Sequence, residues 1–216
     1  MTLVPDRTSM VPPGPAAISG DDYRDVLGRF ASGPVIIAAD TESGPVGFTC
    51  QSFFSVSLDP PLVAISVRRG STTWEQIKTV GRLSVSVLSD EQHDLAQRFG
   101  RATADKLAGV GWTPGTGGPQ LDGALAHLSC TVESVNDAGD HYVVIGRVTD
   151  LDARHGHPLL FFRGRFGRFH PRPTSDPTVD ASGEREGGHT GWGSAAVTRR
   201  GVNRAPAEVC GAVVPA

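Results

Sequence analysis

The most restrictive feature of this 216-residue chain is how closely its β-rich runs follow one another. Val35–Ala39, Val46–Ser52, Leu62–Val67, Leu83–Leu88, Leu125–Val135, His141–Asp150 and Leu159–Phe169 all read as strands. Most are joined by turns too short for the helical crossover that a parallel pair needs. Two helical runs interrupt them, roughly Thr72–Val80 and Glu91–Phe99. A third opens at Ser19 and runs through Phe30, with Asp21 and Asp22 in its first turn and Tyr23, Val26, Leu27 and Phe30 on one face. Strands outnumber helices, so the expected fold is mainly β, an antiparallel sheet closing into a barrel with a few flanking helices.

Composition divides the chain into three zones. Residues 1–18 are proline-rich and patternless, which predicts a flexible N-terminal arm. Residues 19–170 hold nearly all the periodic apolar segments and form the expected domain. Residues 171–216 are rich in Gly, Pro, Ser and charge and offer too little apolar surface to offset ordering, so a disordered tail is expected there, with Trp192 and Cys210 outside any site. A net charge of -3 without a basic block leaves no footprint for nucleic acid. No apolar run approaches the ~20 residues of a membrane span, and the first residues lack the apolar core of a secretory signal. The cysteines Cys50, Cys130 and Cys210 are odd in number, far apart and without metal-ligand spacing. They argue against a disulfide framework or zinc site, so a cytoplasmic location and no bound metal are expected.

Three segments carry possible chemistry. In GFTCQSFFSVSLDPP (Gly47–Pro61), Thr49, Gln51, Phe53 and Ser55 fall on one side of an extended chain, and Cys50, Ser52 and Phe54 on the other. Such a series either faces water along an edge strand or meets a flat heterocycle with several hydrogen-bonding edges. The apolar strand Leu62–Val67 then leads into Arg68-Arg69-Gly70-Ser71-Thr72-Thr73-Trp74, where Ser71 or Thr72 is a natural helix cap. That turn is either plain capping beside solvated arginines or a phosphate cradle built from a helix start, three hydroxyls and two cations. The third segment is Gly139-Asp140-His141, a turn that places a histidine at the mouth of a strand. His155 and His157, two apart, lack a third ligand. Neither a Rossmann nor a P-loop glycine pattern is present.

In series, Gly47-Phe48-Thr49 with Ser52-Phe53, Ser55–Val63, Ser71–Thr73, Leu95–Phe99, Gly139-Asp140-His141 with Gly146-Arg147-Val148, and Arg163–Phe166 resemble the flavin reductases with an FMN-binding split barrel. This group includes the small reductase components of two-component flavin-dependent monooxygenases. The likeness spans roughly residues 20–169. It implies a split barrel that carries hydride from NADH or NADPH to FMN, with FAD possible, and supplies a separate oxygenase. It implies that Thr49, Cys50, Gln51, Ser52, Ser55, Val56 and Ser57 line the flavin, with Ser66, Val67 and Arg68 alongside. Ser71, Thr72 and Thr73 would lie near its phosphate, and Phe99 and Gly100 near the cofactor too. The backbone N–H groups of Val56 and Ser57 would meet charge developing on the reduced ring. His141 would face the nicotinamide, with Arg163, Arg165 and Phe166 bordering that pocket. Phe54 stands where a small polar residue is common, and its ring would narrow the flavin mouth. The likeness also implies a homodimer with sites at or near the subunit interface, for which apolar residues of strands 35–39 and 143–148 are candidates. Competing readings are a non-catalytic flavin- or haem-binding barrel and an oxidase of the pyridoxine-phosphate type.

Overall fold

In each strand of the barrel the alternation of side chains decides what it packs against. In chain order the elements are α1 (Gly20–Leu27), β1 (Val35–Thr41), β2 (Gly44–Cys50), β3 (Phe54–Ser57), β4 (Leu62–Arg68), α2 (Thr72–Val80), β5 (Arg82–Val87), α3 (His93–Gly100), β6 (Trp112–Pro114), β7 (Pro119–Leu121), β8 (Ala126–Ala138), β9 (His141–Ala153), β10 (Leu159–Phe162) and β11 (Arg165–Arg168). The computed structural model describes residues 17–101 and 106–170. Nearly all of the expected N-terminal arm, and the whole expected C-terminal tail with Trp192 and Cys210, lie outside the described residues.

Seven strands form one antiparallel sheet in the order β2-β1-β5-β8-β9-β4-β3. The sheet curls until β2 meets β4. No ladder joins those two strands; the Ser52 hydroxyl reaches across instead, accepting from Ser66 N–H at 2.8 Å and donating to Ser66 C=O at 3.1 Å. The fold is thus an antiparallel split barrel with flanking helices. Val35, Ile37 and Ala39 of β1 point into the barrel, beside Val63, Ile65, Val67, Leu83, Val85 and Val144. Helix α2 plugs this interior with Trp74 and Ile77, both fully buried. Ser71 caps the helix by accepting from Trp74 N–H at 3.2 Å, and Gly81 ends it at φ 71°.

Ile36 and Ala38 point the other way, into a second cluster with Leu88, Ala96, Phe99, Leu121 and Leu159. β1 is therefore buried on both faces, which explains its unbroken apolar run. Ser84, Ser86 and Ser129 also face this outer side, yet are buried, because the segment around β6 and β7 lies over them. Ser86 Oγ accepts from Leu121 N–H and Ser129 Oγ from Gly117 N–H, both at 3.2 Å, and Ser84 donates to Pro119 C=O. Each buried hydroxyl thus has a partner, and an irregular segment gains a fixed seat.

Several expectations change. The run Leu159–Phe169 is two strands, because Arg163 (φ 49°) and Gly164 (φ 76°) make a left-handed two-residue turn between β10 and β11. Phe54–Ser57 is an outer strand beyond β4 with a bulge at Val56. The apolar residues of 35–39 are buried and those of 143–148 are buried or half-buried, so neither strand offers an exposed contact face. The exposed apolar side chains lie elsewhere. Val26, Leu27 and Phe30 at the end of α1, and Phe54, Val56 and Leu58 around β3, stand in solvent. Helix α1 buries no side chain at all.

Candidate functional site

Along the split, β2, the end of β4, the start of α2 and helix α3 surround an open cleft of about 1070 Å³. It gathers Thr49, Cys50, Gln51, Ser66, Val67, Arg68, Ser71, Thr72, Thr73, Phe99, Gly100, His141 and Phe166, residues spread over more than a hundred positions of the sequence. Antiparallel registry accounts for much of this, since β4 pairs with β9 so that Arg68 stands opposite His141. The hairpin turn Gly139-Asp140, with Gly139 at φ 62°, then sets His141 at the cleft rim.

Ser52, Ser55, Val56, Ser57, Arg163 and Arg165 are not brought to this cleft. Ser52 is engaged in the barrel seam. Ser55, Val56 and Ser57 follow the outer edge of the sheet, where Val56 is exposed, so their N–H groups do not line the cleft. Phe54 is likewise exposed and does not narrow the mouth. Arg163 points to α1, its guanidinium 3.6 Å from Asp25 and its N–H donating to Gly28 C=O at 2.9 Å. Hydroxyls within the cleft also have structural roles. Thr49 Oγ1 donates to Ala96 C=O at 2.7 Å and ties β2 to α3.

The cleft also holds Phe48, Arg69, Gly70, Ala96 and Gln97, which the sequence reading named only within its motifs, and Arg101 and Lys106, which it passed over. Two cations close behind the Leu95–Phe99 run were the available signal. Lys106 donates to Phe99 C=O at 3.0 Å, and burial pulls its ammonium below the usual lysine range. Arg69 pairs with Asp137 at 2.6 Å and lies 4.9 Å from the Tyr142 ring centre. Among the described residues, four cationic side chains, Arg68, Arg69, Arg101 and Lys106, thus line the cleft, with no Asp or Glu beside them. The N–H groups of Thr72 and Thr73 belong to the first turn of α2, which the helix itself leaves without acceptors. An anion fits this surface, and the volume accommodates a ring system attached to it.

His141 Nδ1 lies 2.7 Å from Asp140 Oδ1. The hydrogen bond to the histidine, reinforced by its charge, holds the Asp140 carboxyl below the usual carboxylate range. An ionised Asp140 requires a hydrogen on Nδ1, which leaves Nε2 as the ring's other hydrogen-bonding atom. Cys50, on the cleft floor, is a free thiol pushed up by burial; it behaves as a small wall residue rather than a nucleophile.

A cationic, ring-sized cleft on a split barrel suits a protein of the nucleotide-cofactor class. Residues 27–170 match the model of the flavin reductase like domain. The reductase subunit HsaB of a flavin-dependent monooxygenase from Rhodococcus jostii (strain RHA1) is 44% identical over 167 residues, covering 76% of this chain and 84% of that protein. Among solved structures, nitrilotriacetate monooxygenase component B from Mycobacterium thermoresistibile superposes with a TM-score of 0.68 at 42% identity, covering 73% of this chain and 93% of the other. The NADH:FAD oxidoreductase SgcE6 of Streptomyces globisporus C-1027, in complex with NAD and FAD fragments, does so with a TM-score of 0.67 at 34% identity, covering 72% and 94%. The chain belongs to the flavin reductase-like family and is an oxidoreductase.

Proposed function

We propose that this chain is an NADH-dependent flavin reductase that supplies reduced flavin to a separate monooxygenase. The carrying observation is the cationic cleft itself, with Arg68, Arg69, Arg101, Lys106, a helix start and His141 on its walls, in a chain of this family. A bound flavin supplies the ring that accepts the hydride. The chain's own part is to hold and align. The first-turn N–H groups of α2 and the hydroxyls of Ser71, Thr72 and Thr73 hold the phosphate, with Arg68 adding charge. Gln51, Ser66, Val67 and Phe166 form walls for the ring. His141, fixed by Asp140, offers Nε2 to the second substrate. The decisive assay is purified chain with NADH or NADPH and FMN or FAD, followed at the nicotinamide absorbance. Flavin-dependent consumption of NADH is expected; a preparation that binds no flavin and consumes no NADH removes the proposal.

His141→Ala is expected to raise the KM for NADH severalfold while flavin affinity stays within about twofold, because the ring aligns the nicotinamide and holds nothing of the phosphate. Steady-state kinetics with both substrates varied checks this, and an unchanged KM takes His141 out of the role.

The homodimer reading rests on the six exposed apolar side chains of α1 and β3, since single chains rarely leave so many large ones in water. A second copy covers them and brings the sites to or near the interface. Sedimentation should give a mass near twice the 22.7 kDa chain. Val26→Glu with Phe30→Glu should yield monomer, and a monomeric wild type at micromolar concentration rules the dimer out. Residues 19–170 form the catalytic domain, with the remaining segments as arm and tail. The free thiols of Cys50 and Cys130 suit a reducing cytoplasm. No helix among the described residues is long and apolar enough to cross a membrane.

A further inference from the structure

Behind the α3 wall of the cleft stands a histidine that the proposed reaction does not use. His93, the first residue of α3, is half-buried and touches three side chains. Its Nδ1 lies 3.0 Å from Asp94 Oδ1, and its Nε2 lies 2.9 Å from Gln97 Nε2. Its ring meets that of Phe166 edge to face, with centres 4.9 Å apart and planes at 85°. Gln97 and Phe166 line the cleft, whereas His93 does not. One imidazole thus joins a polar wall residue from α3 to an aromatic one from β11, and Phe166 meets the Phe161 ring as well, at 5.1 Å.

The order of these bonds fixes an orientation. A neutral ring that donates from Nδ1–H to the Asp94 carboxylate has only a lone pair at Nε2. Gln97 therefore turns its NH2 group to the ring, which leaves its carbonyl oxygen for the cleft. The contact is local, from one residue to the fourth after it on a single helix face, so α3 holds it without outside support. Arg68, Arg69, Arg101, Lys106 and the first-turn N–H groups of α2 are all donors. A fixed acceptor adds what none of them supplies.

We propose that Gln97 is a specificity-determining contact whose carbonyl accepts a hydrogen bond from the flavin, and that His93 is the positioning residue holding the amide in that sense. This rests on the reading of the chain as a flavin reductase. A flavin has donors in two places, the ring N–H and the hydroxyls of its chain. An untethered glutamine could present either end of its amide to them; the imidazole removes the choice.

The test uses four full-length variants. His93→Phe keeps an aromatic ring against Phe166 but no nitrogen, His93→Asn keeps an acceptor for the Gln97 amide, and Gln97→Leu is made alone and together with His93→Phe. Dissociation constants for FMN, and for lumiflavin, which has the ring without the chain, are read by fluorescence titration beside a thermal melt. His93→Phe and Gln97→Leu should each weaken FMN about three- to tenfold, the worth of one hydrogen bond, with melts unchanged. His93→Asn should recover most of the loss, and the double variant should bind no more weakly than Gln97→Leu, because the imidazole acts through the amide. A merely structural histidine would give neither result. A loss that persists with lumiflavin supports the proposal with the ring as donor, and a loss confined to FMN supports it with the chain hydroxyls. Single variants that bind FMN like wild type, or losses that add in the double variant, overturn this inference alone. Wild type that binds no flavin overturns the underlying reading and the inference with it.

Discussion

Trp74→Ala should lower the unfolding free energy by about 3–5 kcal/mol, the usual cost of truncating a large aromatic in a packed core. Trp74 is completely buried and, with Ile77, fills the barrel beneath α2. Among the described residues the indole Nε1–H has no hydrogen-bond partner, although it is buried. A buried donor without an acceptor costs about 1–3 kcal/mol. Trp74→Phe, which deletes that group along with part of the ring, should therefore be much milder than its loss of volume suggests. Urea unfolding of the three proteins decides the matter. An alanine variant within about 1 kcal/mol of wild type would show that α2 does not plug the barrel.

Thr72→Glu should separate stability from function. Thr72 is the first residue of α2 and is exposed. A carboxylate there faces the positive end of the helix, so stability should hold or rise by about 0.3–1 kcal/mol. The same carboxylate enters the cationic cleft at the expected phosphate position. Flavin affinity should fall at least tenfold, equivalent to about 1.4 kcal/mol, and should fall further at low salt, where like charges are poorly screened. Fluorescence titration of flavin beside a thermal melt gives both readings. Unchanged affinity with an unchanged melt would move the phosphate away from α2.

Much of the fold was legible because local rules and tertiary packing agree. Thr72–Val80 reads as a helix and is one, with Ser71 as its cap. The apolar run Val35–Ala39 reads as a strand and is one, although its burial on both faces follows only from the packing. The break at Arg163 was hidden, because arginine rarely adopts a positive φ and only Gly164 marked the turn. β6 and β7 were hidden too, since three-residue strands carry no period and owe their place to hydroxyls on β5 and β8.

The candidate site was half legible for a related reason. Alternation tells which side chains share a face, but not what stands opposite. Thr49 looked like a ligand contact, yet its hydroxyl hydrogen goes to Ala96, 47 residues away. Ser52 likewise closes the barrel. Gln97, Arg101 and Lys106 join the cleft only once α3 packs on β1 and β2, a long-range event with no local period.

Where β2 faces β4, cohesion depends on a hydroxyl rather than on paired backbones. Parting the two strands there breaks the two Ser52 bonds, about 1 kcal/mol each, and the long Cys50 Sγ–Ser66 C=O contact, whereas peeling β4 from β9 would undo a seven-residue ladder. The barrel therefore has one soft line, and that line runs beside the cleft floor at Cys50 and Ser66. Thermal breathing of the barrel is expected to concentrate along that line, where side chains alone hold the two strands together.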